Sequence, residues 1–137
     1  MAKKKKLDTV AEVLRDMGFR AEHTELAGGR EGLRSATGGV TFDIVAGNET
    51  EKGVLRDVTF FTSFDLPGEV GDLASEWNQQ KRFARVFHRD KNLVMEMDLV
   101  LPAQAAPAKS IVREGTDNWN RLLQDLVATL RTQLAQA

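Results

Sequence analysis

The chain has 137 residues, 42% of them hydrophobic and 28% charged, and a formal net charge of −1. That length suits one domain with a real core, and that composition excludes a disordered polymer and a membrane-embedded bundle. With zero cysteines, disulfide frameworks and thiolate chemistry are excluded, and a cytoplasmic location is the expectation.

Four lysines, Lys3 to Lys6, open the chain. They would begin an export signal only if an apolar stretch followed, and LDTVAEVLRDMGF carries charges instead. Residues 1–7 therefore read as a flexible basic arm, and residues 8–137 as a single domain. No stretch approaches the ~18 uninterrupted apolar residues of a membrane span.

From Asp8 to Met17, apolar Val10, Val13, Leu14 and Met17 recur at helical spacing, with Thr9 and Glu12 placed as a capping box and Gly18 as the stop. Phe19 to Glu25 reads as extended, and Gly28, Gly29 and Gly32 as a loop. Leu33 to Thr37 and Val40 to Ala46 read as strands joined by Gly38-Gly39. A primed two-residue turn there pairs Ser35 with Phe42 and Leu33 with Ile44, and it puts Val40, Phe42, Ile44 and Ala46 on one face. A polar loop, Gly47 to Gly53, precedes a third strand within Val54 to Phe64.

Pro67 suits the first turn of a helix carrying Val70, Leu73, Ala74 and Trp77 on one side. Phe83 to His88 and Leu93 to Leu101 form a hairpin around Asp90 and Lys91, with Arg89 opposite Asn92. This register groups Ala84 and Val86 with Met95, Met97 and Leu99, and sets Arg85 opposite Glu96 on the reverse face. A linker, Pro102 to Pro107, leads to a final helix whose apolar stripe includes Trp119, Leu123, Leu126 and Leu130. If continuous through Gly115 over about 28 residues, it reaches ~42 Å, more than the ~37 Å of a compact chain this size. Those four residues are then core or the surface of a homodimer, since an overhanging stripe needs a cover. The fold class is α+β: an antiparallel sheet of about five strands, a meander of three plus a hairpin, with helices at the N-terminus, middle and C-terminus.

Signals of chemistry are weak. His88-Arg89-Asp90 with Asn92 resembles a kinase catalytic loop, but the chain is too short for a kinase lobe and has no glycine-rich phosphate loop. Gly47 to Gly53 holds Lys52 in the wrong order for a phosphate loop, and no helix starts there. His23 and His88 lie far apart and without cysteine, so no metal site is expected. Glu96 and Asp98, two residues apart on a strand, could do acid-base work, although Arg85 on the neighbouring strand offers them an ion pair instead. No catalytic residue and no cofactor is expected. Phe83, Arg85 and Phe87 form the candidate protein-binding surface, because aromatics beside arginine have the makeup of interface hot spots. If the last helix covered that face, both phenylalanines would be core.

The segment EWNQQKRFARVFHRDKNLVMEMDLVL, Glu76 to Leu101, resembles the YbjN-type family of bacterial proteins. The likeness is carried by Trp77-Asn78 closing a helix, Arg82-Phe83 opening a strand, Phe87, an acidic tip, and Glu96-Met97-Asp98-Leu99 in the return strand. Trp119 in the last helix also fits, and the resemblance extends from about Asp8 to Leu134. It implies a fold like that of type III secretion chaperones, small proteins that dimerise and wrap an extended client segment. It implies no enzyme activity and a role in bacterial stress or signalling regulation. The expected function is that of a non-enzymatic chaperone-like adaptor with an unidentified protein client. The alternative is a regulator contacting nucleic acid through the lysine arm.

Overall fold

Apolar residues alternate along each long strand, which sorts the sheet into one face that must be buried and one that can stay wet. A computed structural model describes residues 5–135. Helix α1 (Asp8–Asp16) leads into β1 (Glu22–Glu25), a 3-10 turn at Ala27–Gly29, β2 (Glu31–Thr37), β3 (Val40–Ala46) and β4 (Asp57–Asp65). Helix α2 (Leu73–Gln80), the hairpin β5 (Arg85–Arg89) and β6 (Asn92–Val100), and helix α3 (Ala105–Ala135) complete the chain. The six strands form one antiparallel sheet in the order β1-β2-β3-β4-β6-β5.

Both hairpin registers follow from their turns. Gly38 and Gly39 take positive φ and set Leu33 opposite Ile44 and Ser35 opposite Phe42. Asp90, at φ +55°, closes the second hairpin with Arg89 opposite Asn92 and Arg85 opposite Glu96.

Several sequence readings are corrected. Gly32 lies inside β2, paired with Thr24 and Val45, so the meander has four strands and the sheet six. The capping box does not form: Leu7 is the N-cap residue and makes no side-chain cap bond. Glu12 instead meets Lys109 Nζ at 3.3 Å and ties α1 to α3. Pro67 lies outside α2, which starts at Leu73 because Gly71 at φ +59° cannot be helical. Ala105 to Pro107 are not linker but the first turn of α3, where a proline's missing N–H costs no helical bond. The arm read over residues 1–7 is anchored at its end. Leu7 is fully buried and its N–H donates to Glu31 Oε2 at 2.8 Å, while Lys6 Nζ meets Glu49 at 3.3 Å. Residues 1–4 lie outside the described part of the chain.

Helix α3 runs unbroken through Gly115, and its 31 residues span ~46 Å at 1.5 Å each. Gly115 is there for closeness: a Cβ would come within 2.4 Å of Leu99 Cδ2. One turn further on, Trp119 sits 5.8 Å from the ring of Phe42 and 5.5 Å from that of Phe60. Trp119, Leu123 and Leu126 are fully buried and Leu130 nearly so, all in the core cluster with α1, α2 and one sheet face. The stripe is therefore covered by its own sheet, and it gives no argument for a second copy.

Truncating Trp119 should cost about 3–5 kcal/mol, the range for a large aromatic deleted from a packed core. Urea unfolding of Trp119→Ala measures this, and a loss under about 1 kcal/mol would contradict the packing described.

Candidate functional site

The opposite face of the sheet carries no helix among the described residues. One row of paired residues crosses all six strands: Glu22, Arg34, Asp43, Phe61, Glu96 and Arg85. Its charges alternate in sign on either side of Phe61. Arg34 Nε donates to Asp43 Oδ1 at 3.0 Å, and this hydrogen bond, with the carboxylate's charge, raises the guanidinium pKa above its ordinary value. Arg85 Nε donates to Glu96 Oε1 at 2.6 Å, and its Nη1 lies 3.7 Å from Asp98 Oδ2. Asp98 Oδ1 also accepts the hydroxyl of Thr59 at 2.6 Å.

This settles how Glu96 and Asp98 are held. One guanidinium bridges both carboxylates, the cross-strand ion pairing that the sequence offers for them. His23 Nε2 meets Asp8 Oδ1 at 2.9 Å while His88 is exposed on β5, and no cluster of three metal-ligating side chains occurs among the described residues. No helix of the described residues is long and apolar enough to cross a membrane.

The candidate binding residues are only partly brought together. Arg85 and Phe87 share the outer face of β5, and the guanidinium of Arg89 lies 5.6 Å from the Phe87 ring, within cation–π range. Phe83 borders a shallow pocket with Arg85, Glu96 and Asp98 but stands outside the β5 row. It precedes β5, has φ +75°, and sits in a three-residue turn in which Ala84 N–H donates to Arg82 O at 2.9 Å. Its ring is 71% exposed and borders a groove of about 510 Å³ between α3 and β6. Phe83 is exposed and Phe87 lies outside the core cluster, so neither is core.

Three features were not foreseen. Strand β5 starts at Arg85 and pairs β6 only from Asn92 to Glu96, so Met97 to Val100 have no neighbour on that side. Asn78 clamps the free side of β5: its Nδ2 donates to Val86 O at 2.8 Å and its Oδ1 accepts Val86 N–H at 3.0 Å. Strand β1, EHTE, falls within the stretch that reads as extended, but with no apolar alternation nothing in it announces its pairing to β2.

These elements define a small α+β domain with a sheet covered by helices on one face and unpaired along part of one inner strand. The YbjN family model, described as "Putative bacterial sensory transduction regulator", matches residues 6–131, and the chain belongs to that family. No curated protein and no solved structure matches the chain significantly.

The Arg85–Glu96 pair is expected to contribute about 1 kcal/mol, since Glu96 is mostly screened from water while Arg85 is mostly exposed. A double-mutant cycle of Arg85→Gln and Glu96→Gln, read by chemical unfolding, should return a coupling near that size. Additivity within a few tenths of a kcal/mol would show that the pair is ornamental.

Proposed function

We propose that this protein is a non-enzymatic regulator that works by binding a protein client, in the manner of an adaptor or chaperone. The observation that carries the reading is the wet face of the sheet, where Arg85, Phe87 and Arg89 stand in a row on β5, with half-buried Phe61 on the same face two strands away. Arginine and aromatic side chains on a rigid strand form contacts that a partner can desolvate at small cost in conformational entropy. The family description supports a regulatory role, and the client-binding part rests on the secretion-chaperone-like fold that the likeness to that family implies. A bacterial stress or signalling setting belongs to the same proposal.

Nucleic acid is a poorer match to this face. Arg34 and Arg85 each have a carboxylate partner among the described residues, which leaves Arg89, stacked on Phe87, as a single unpaired guanidinium in the β5 row where a phosphate backbone needs several uncompensated cations. Lys6 is likewise paired with Glu49.

Affinity capture from bacterial lysate, comparing the native chain with a Phe87→Ser/Arg89→Ser variant, tests the reading. At least one saturable binder should fall about tenfold in the variant while thermal stability stays near native. An identical set of captured proteins at equal occupancy would contradict it.

A further inference from the structure

We propose that the unpaired half of β6, with the groove between it and α3, is a slot for one extended strand of a partner protein. The strand that fits alternates apolar side chains with lysine or arginine. This rests on the client-binding reading and says where, and by what chemistry, the client is held.

Ladder geometry identifies the free backbone groups. Leu101 N–H donates to Arg56 O at 2.7 Å, so Leu101 faces β4, and alternation turns Leu99 and Met97 the same way. Asp98 and Val100 must then direct their N–H and C=O groups to the opposite side. Glu96 and Val94 meet β5 there, but beyond Arg85 no strand continues. The turn at Phe83 ends the strand, with a positive φ that non-glycine residues rarely adopt. The groove opens alongside this unpaired stretch, with Phe83, Met97, Asp98 and Leu99 on one side and α3 on the other. Four open residues, Met97 to Val100, offer ~14 Å of edge at ~3.4 Å per residue.

Elsewhere the sheet guards its edges. Asn78 satisfies Val86 on β5, and β1 is four residues long with a glutamate at each end. The open half of β6 has neither device. Instead, three of the four exposed large apolar residues of the described chain border it: Phe83, Val100 at 75% and Ile111 at 36% exposure. An incoming strand would pair with Asp98 and Val100 and set its inward side chains against Phe83, Leu99 and Ile111.

Charge selects the occupant. Glu114 and Asp117 line the groove with Asp98, which Arg85 already holds at 3.7 Å, and the one cation in the lining, Arg121, has its Nη2 bonded to Asn118 Oδ1 at 2.7 Å. Glu114 and Asp117 make no ion pair among the described residues. A second copy pairing through the same edge would bring two such acidic linings together, a like-charge juxtaposition that a basic strand avoids.

The test uses the full chain and two capped peptides, one alternating valine with lysine and one alternating valine with glutamate. Amide exchange at Asp98 and Val100, rapid in the free protein, should slow about tenfold or more when the lysine peptide saturates. The glutamate peptide should bind at least about tenfold more weakly. Val100→Pro deletes one free donor without touching the bonds to β4, and should weaken the lysine peptide by about tenfold. Glu114→Lys/Asp117→Lys, at exposed helical positions, should reverse the peptide preference, and it keeps the slot testable if the proline variant fails to fold. Unchanged exchange at Asp98 and Val100 with millimolar lysine peptide would overturn the proposal, as would equal affinity for both peptides. So would protection of these amides that grows with protein concentration alone, because a second copy would then be the occupant. Client capture that persists in both variants would sink the slot and spare the wider reading. Absence of any client would sink the wider reading, leaving the peptides to judge the slot.

Discussion

The contact on which the molecule depends is the indole of Trp119 set between Phe42 and Phe60. It joins the longest helix to β3 and β4, the two central strands of the sheet, where all three rings are out of water. Phe42 and Phe60 rings are themselves 6.3 Å apart, so the three form one aromatic cluster that cannot shift a helix without opening a void. From that point α3 is held at both ends: near its start Gly115 lets it press on Leu99, and near its finish Leu134 packs against the core beside Gly68. Helix α1 follows, fixed by Lys109 to Glu12.

Once α3 lies on one face, the other face is determined by strand alternation. Its residues must live with water, and they do so as neutralised pairs, Arg34 with Asp43 and Arg85 with Glu96, around a half-buried Phe61. Pairing lowers the cost of keeping charges close on a rigid strand, and it leaves Phe61 and Phe87 as the aromatic surface of that face. The same logic applies to the edge. A sheet that protects β5 with an asparagine side chain yet ends that strand early leaves backbone donors and acceptors beside apolar surface, and such groups are satisfied most fully by another strand.

The parts legible in the sequence are those with local cause. Gly38-Gly39 dictates one register through turn geometry and the Asp90-Lys91 tip the second, with the apolar set in LVMEMDL agreeing, so the Arg85–Glu96 pair could be located without coordinates. Trp119, Leu123, Leu126 and Leu130 are visible as a helical stripe, but whether it meets this chain's sheet or another molecule is a tertiary matter, and the sheet wins. What stayed hidden has non-local cause. Strand β1 exists only because β2 offers an edge, and its polar sequence is suited to the rim of a sheet. Phe83 reads as the first residue of a strand by composition, yet the chain turns there so that Ala84 O can accept the Trp77 indole N–H at 3.1 Å. Thr9 and Glu12 match a capping box in spacing, and lose to a buried Leu7 and to Lys109.

A molecule with one sealed face and one open face has a direct signature in hydroxyl-radical footprinting read by mass spectrometry. The account predicts ready oxidation of Phe83, Phe87 and Phe61, with Phe42, Phe60 and Trp119 protected until the protein unfolds. Labelling of Trp119 in the native state, or protection of Phe83 and Phe87 equal to that of Phe60 in the isolated protein, would contradict it.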